Sequence, residues 1–133
     1  MSDTMQHPVR LLVVDDEPDL ETLIRQKFRK KIQAGAYAIT FAGNGRQALD
    51  VLDEDQGIDV ILTDINMPVM DGLSFLKALR EDHRDRQPAV VMCTTENEMA
   101  RIVEAMAAGA NEYIMKPFTE DIVREKLEGV GVL

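Results

Sequence analysis

Short runs of consecutive apolar residues alternate along this chain with longer stretches whose apolar residues recur every three or four positions. The first pattern marks strands buried on both faces, the second amphipathic helices. Arg10 to Val14 is the first run. Pro18 then stands where the first turn of a helix tolerates proline, and Leu20, Leu23, Ile24, Phe28 and Ile32 follow at helical spacing as far as Gly35. Tyr37 to Ala42 predicts a second strand, and after Gly43-Asn44-Gly45 a second helix carries Ala48, Leu49 and Leu52. Asp59 to Thr63 predicts a third strand, followed by a helix with Leu73, Leu76 and Leu79 on one face and Phe75 widening it. Ala89 to Cys93 reads as the fourth strand and Glu98 to Ala108 as a helix stopped by Gly109. Tyr113 to Met115 lies in a fifth strand, and Glu120 to Glu128 forms a last helix after Pro117.

Five strands alternating with five helices across short connections predict an α/β fold, a doubly wound parallel sheet covered on both faces. The 133 residues fit one domain, 1–133 with a core of about 9–128, and no linker or repeat interrupts the pattern. No apolar run approaches the roughly 18 residues of a membrane span, and the first residues lack a signal-peptide layout. The lone Cys93 cannot form an internal disulfide and is expected in the core. The expected location is cytoplasmic. A net charge of −9 argues against nucleic acid as a partner. The positive charge at Arg25, Lys27, Arg29, Lys30 and Lys31 reads as a solvated helix end or as a docking patch for an acidic partner.

The chemistry gathers where strands end. Strand one runs into Asp15-Asp16-Glu17, strand three into Asp64, strand four into Thr94-Thr95 and strand five into Lys116. Ligands of open parallel sheets bind beyond the carboxyl ends of the strands. Singly, Asp15 to Glu17 could cap the first helix, Asp64 could be a turn residue, the threonines could cap the fourth helix, and Lys116 could be solvated. Together they make one acidic site. Crowded carboxylates repel and call for a hard divalent cation, while a lysine and a hydroxyl suit phosphoryl oxygens. A nucleophilic carboxylate, a metal and donors for phosphoryl oxygens are what phosphoryl transfer requires. His7 and His83 lie in polar segments and read as surface residues.

VVDDEP, TDINMPVMDG, MCTTE and YIMKPF occur in the order seen in bacterial two-component response regulators. The chain resembles their receiver domain, most closely the stand-alone chemotaxis type, from about Val9 to Leu127. The resemblance implies a flavodoxin-like sheet of order 2-1-3-4-5. It makes Asp64 the phosphoacceptor and assigns the metal to Asp15, Asp16, Asp64 and the backbone carbonyl of Asn66. The metal would be Mg²⁺, with Mn²⁺ as a substitute. Thr94 and Lys116 would grip the phosphoryl group, and Tyr113 would swing inward. That motion would alter the face formed by the fourth helix, fifth strand and fifth helix. Asn66 and Glu96 would tune dephosphorylation, giving a short-lived phosphorylated state, and the bond before Pro117 would be cis.

The implied partners are a sensor histidine kinase or histidine phosphotransfer protein and an output protein still to be identified. No nucleic acid, membrane insertion or following output domain is expected. The chain would catalyse only its own phosphorylation and dephosphorylation. Thr95 is bulkier than the small residue often found there, and the segment from Lys30 to Tyr37 is longer than in the chemotaxis type. A phosphorelay shuttle that passes phosphate to a histidine phosphotransfer protein is the competing role. An aspartyl-phosphate phosphatase is disfavoured because Asn66 stands where such enzymes carry a general acid.

Overall fold

The computed structural model describes residues 7–82 and 87–133, except for the side chain of Glu96. The strands are β1 (Val9–Val14), β2 (Tyr37–Ala42), β3 (Val60–Asp64), β4 (Ala89–Thr94) and β5 (Glu112–Met115). They form one parallel sheet of order β2-β1-β3-β4-β5. The helices are α1 (Leu20–Lys27), α2 (Arg29–Gln33), α3 (Gly45–Glu54), α4 (Gly72–Glu81), α5 (Met99–Ala107) and α6 (Glu120–Gly129). A single 3₁₀ turn, Glu96–Glu98, leads into α5.

Successive strand residues face opposite ways, so the apolar strands feed two cores. Leu12, Val14, Ile61, Val90 and Met92 pack with Leu52, Leu76, Leu79 and Ile102 on the side of α3, α4 and α5. Leu11, Val13, Leu62 and Val91 pack with Ile24, Phe28, Val123 and Leu127 on the side of α1 and α6. This is the flavodoxin-like arrangement, in which burial on both faces accounts for the lack of polar alternation in the strands.

The segment expected as one helix from Leu20 to Ile32 is instead two, which makes six helices where five were expected. The interruption is one residue, Phe28, at φ −105° and ψ 14°. The bonds Phe28 N–H to Ile24 C=O and Ile32 N–H to Phe28 C=O, both 2.9 Å, still cross it. The break falls at a buried Phe28, whose ring lies 5.8 Å from that of Tyr37. Gly35, at φ +78°, ends the segment in the left-handed conformation that glycine adopts without strain.

The crossover of order between β2-β1 and β3-β4-β5 opens a crevice at the carboxyl ends of β1 and β3. Register sets what lies there. Val14 is level with Thr63 and Asp64 with Cys93, so the residues that follow β1 emerge beside Asp64. The loop from Asp64 to α4 folds tightly back: Gly72 N–H donates to Ile65 C=O at 2.8 Å, and Asp71 caps α4 through Ser74 N–H at 2.8 Å. A Cβ on Gly72 would come within 2.0 Å of the Asp64 carbonyl oxygen. Backbone, not a flexible side chain, blocks it.

Gly72→Ala is therefore expected to destabilise the fold by about 1–3 kcal/mol or more, by displacing the end of β3. Gly129→Ala, whose new Cβ meets nothing within 4 Å, should leave stability unchanged or raise it by up to about 1 kcal/mol. Urea unfolding of the two variants checks the contrast.

Candidate functional site

Asp15 directly follows β1, Asp64 ends β3 and Lys116 directly follows β5. The Lys116 ammonium lies between the other two, 2.9 Å from Asp15 Oδ2 and 3.2 Å from Asp64 Oδ1. The Asp15 and Asp64 side chains are only 5% and 13% exposed, against 24% for Lys116, so the pair of carboxylates is largely withdrawn from water. Backbone donors hold both in place: Glu17 N–H bonds Asp15 Oδ1 at 2.9 Å, and Ile65 N–H bonds Asp64 Oδ1 at 2.8 Å. Asp16 is exposed, yet Asp15, Asp16 and Asp64 can each present an oxygen within 4.8 Å of the others. The acidic residues after β1 do not cap α1, whose N-cap, Asp19, makes no side-chain cap bond.

Burial raises the Asp64 carboxyl above its ordinary value; the Lys116 ammonium opposes that rise and the Asp15 carboxylate adds to it. Burial also pulls Lys116 down, but hydrogen bonds and charge from Asp15 and Asp64 more than reverse this and raise it overall. Two carboxylates pair with one ammonium and a third, Asp16, lies within reach of both, a set with negative charge to spare. Oxygen donors this close, one of them open to solvent, fit a hard divalent cation that keeps several waters. Fit is also chemical: all three donors are carboxylates, with no imidazole or thiolate among them.

Thr94 ends β4 with its side chain buried, and its hydroxyl donates only to the neighbouring Thr95 carbonyl at 3.1 Å. Lys116 N–H donates to the Thr94 carbonyl at 2.7 Å, which ties the ends of β4 and β5 together. Tyr113 on β5 is half-buried against the α5 side of the core, with Lys126 5.8 Å from its ring. The Lys116–Pro117 peptide is cis. In the loop after Asp64, Met70 N–H donates to Pro68 C=O at 2.7 Å around Val69 at φ +68°, a tight γ-turn.

Asn66 is in this loop, and its side chain bonds Glu98 and Arg101 across the gap to α5. Neither Glu98 nor Arg101 was singled out by sequence reasoning. The T-x-x-E spacing of Thr95 and Glu98 is a capping-box signal that could have flagged the first; nothing in the sequence pairs Arg101 with Asn66. The backbone of Glu96 is in the 3₁₀ turn, while its side chain lies outside the described residues, as does all of His83. His7 is exposed. Cys93 is buried, and desolvation pushes its thiol up to about 12, which makes it inert.

A carboxylate whose folded-state pKa is raised opposes folding once it is charged in both states, and that penalty disappears as pH falls below its unfolded value. In metal-free buffer Asp64→Asn should melt a few degrees above the parent at neutral pH, with the gap closing on acidification through the carboxylate range. Lys116→Met should melt lower at neutral pH, and its deficit should shrink over the same range as the carboxylates it leaves behind take up protons. The raised Lys116 value places loss of its own contribution at alkaline pH, above its unfolded value. Melting curves across pH read all three.

Residues 11–128 match the response regulator receiver domain family. The chain is 38% identical over 122 residues to the chemotaxis protein CheY1 of Helicobacter pylori, covering 92% of this chain and 96% of that protein. It is 36% identical over 122 residues to a chemotaxis protein CheY homolog of Campylobacter jejuni, covering 92% of each. Among solved structures, the chemotaxis response regulator CheY4 of Vibrio cholerae aligns with a TM-score of 0.76 at 33% identity, over 92% of this chain and 98% of that one. With the family matched along most of its length and relatives of more than a third identity, the chain belongs to the response regulator receiver domain family.

Proposed function

We infer that this chain is a phosphorylation-controlled switch of the chemotaxis type, in which Asp64 accepts a phosphoryl group from a histidine kinase or histidine phosphotransfer protein. The observation that carries this reading is the Lys116 ammonium bridging Asp15 and Asp64 at the mouth of the sheet. A carboxylate held by a backbone N–H, beside a cation and at the edge of solvent, is a nucleophile ready for phosphorus. Mg²⁺ or Mn²⁺, held by Asp15, Asp16, Asp64 and the Asn66 carbonyl, would supply neutralisation of the phosphoryl oxygens.

This chain's own residues do the rest. An Asp64 oxygen bonds to phosphorus as the bond to the donor nitrogen breaks. Lys116, already 3.2 Å from Asp64, pairs with a phosphoryl oxygen. Thr94 exchanges its weak bond to the Thr95 carbonyl for a charge-assisted bond to another. Its movement makes room for Tyr113, which is only half-buried here, to turn inward. The change is read on α5, β5 and α6, where Val103, Met106, Met115 and Ile122 expose large apolar side chains that an output protein can cover. The phosphate donor has a groove beside Lys116, a cavity of about 360 Å³ lined by Leu20, Leu23, Ile24 and Phe118. No external substrate is turned over: the chain catalyses only gain and loss of its own phosphate. Glu96, with Asn66, is assigned to tuning that loss.

Incubation with phosphoramidate and Mg²⁺ should label the protein at one site within minutes. Asp64→Asn or removal of the divalent cation should abolish labelling. Beryllofluoride should shift the amide resonances of Thr94, Tyr113 and Lys116 only when Asp64 is present. Asp64-dependent turnover of an added phosphate ester would instead establish a phosphatase, and a phosphate still largely present after hours would refute a short-lived switch.

A further inference from the structure

Two residues past Asp64, the Asn66 side chain is gripped at both ends by another segment of the chain. Its Nδ2 donates to the Glu98 carboxylate, and its Oδ1 accepts from Arg101 Nη1 at 2.7 Å. Glu98 does two things at once. Its other oxygen accepts from the Thr95 N–H and the Thr95 hydroxyl, each at 3.3 Å, which ties the turn leading into α5 back onto the end of β4. Arg101 forks: Nη2 lies 3.3 Å from Asp71 Oδ2, while Asp71 Oδ1 accepts from Ser74 N–H and caps α4. These contacts form a strap from the end of β4, through Glu98, Asn66 and Arg101, to the start of α4. It crosses the mouth between β3 and β4, the strands that end in Asp64 and Thr94.

Both bonds to Asn66 are charge-assisted and so stronger than neutral ones. A primary amide has two N–H donors and two acceptor lone pairs. Glu98 and Arg101 take one of each and leave one N–H and one lone pair in a fixed direction. A fixed donor and acceptor at the rim of Asp64 are what holding one ordered water requires, whereas a free amide would sample several rotamers.

We propose that Glu98 and Arg101 are positioning residues for loss of phosphate from Asp64, acting through the Asn66 amide. In that step a water oxygen bonds to phosphorus as the bond from phosphorus to the Asp64 oxygen breaks. The electron pair returns to the carboxylate, a water proton passes to solvent, and inorganic phosphate leaves. The strap deepens the reading of Asp64 as phosphoacceptor, on which it rests, by adding two residues that reach the reaction only through a third.

The test labels the full chain with phosphoramidate and Mg²⁺, removes the donor and follows loss of phosphate. Arg101→Ala and Glu98→Gln should each slow the loss by about 3- to 10-fold, in the lower part of the range of coupling between residues in contact. Asn66→Ala should slow it at least as much, and Arg101→Ala should add nothing further in the Asn66→Ala background. Glu98→Gln keeps an oxygen for the Thr95 bonds, so the test stands even if Arg101→Ala loosens the start of α5. Unchanged or faster loss in the single variants overturns the proposal. So do effects that multiply in the double variant, the mark of a merely structural role. Labelling without these rate effects removes this proposal alone; wild-type protein that takes no label at Asp64 removes the phosphoacceptor reading along with it.

Discussion

Charge compensation at one edge of the sheet is the constraint on which the rest depends. Parallel pairing in register brings Asp15 and Asp64 side by side at the ends of β1 and β3, and burial of the flanking strands withdraws both from water. Carboxylates so placed repel each other and resist ionisation. The ammonium of Lys116, delivered by β5, two strands from β3 and three from β1, makes the arrangement tolerable. It does not make it neutral, because Asp16 adds a third carboxylate within reach. The residual negative charge is what makes this edge chemically suited to a hard divalent cation.

The scaffold keeps one part of this edge rigid and another adjustable. Asp64 is held by the Ile65 N–H and by the close approach of Gly72, and the Asp64–Gly72 loop is closed by its own backbone bonds. Thr94 is different. Among the described residues its buried hydroxyl bonds an adjacent carbonyl, a bond that a charged acceptor can outcompete. Thr95 and Glu98 connect that strand end to the Asp64 loop, so movement at β4 cannot be independent of Asn66. A fixed carboxylate next to a hydroxyl whose bond can be exchanged is an arrangement with two accessible states.

Much of this was legible in the chain itself. Strands such as Val90-Val91-Met92-Cys93 are apolar throughout because both faces are covered, and helices repeat Leu73, Leu76 and Leu79 because only one face is. Those periodicities are local and survive in the sequence as pattern. The boundaries moved by a residue or so, and the break at Phe28 left no trace because the residue has ordinary helical spacing and the helical bonds continue across it. The gathering of Asp15, Asp64, Thr94 and Lys116 at one edge was legible because each ends or directly follows a strand, where a polar residue after an apolar run stands out.

The sequence by itself thus determined the alternation of elements, the apolar faces that form two cores, and the residue types at each strand end. It did not hold the partnerships. That Lys116 lies between Asp15 and Asp64, and that Glu98 and Arg101 hold Asn66, follow from strand order and helix placement, which join residues far apart along the chain. Periodicity reports which way a side chain faces relative to its own element. Which distant side chain it meets there is decided only when the sheet is assembled and its edges are packed.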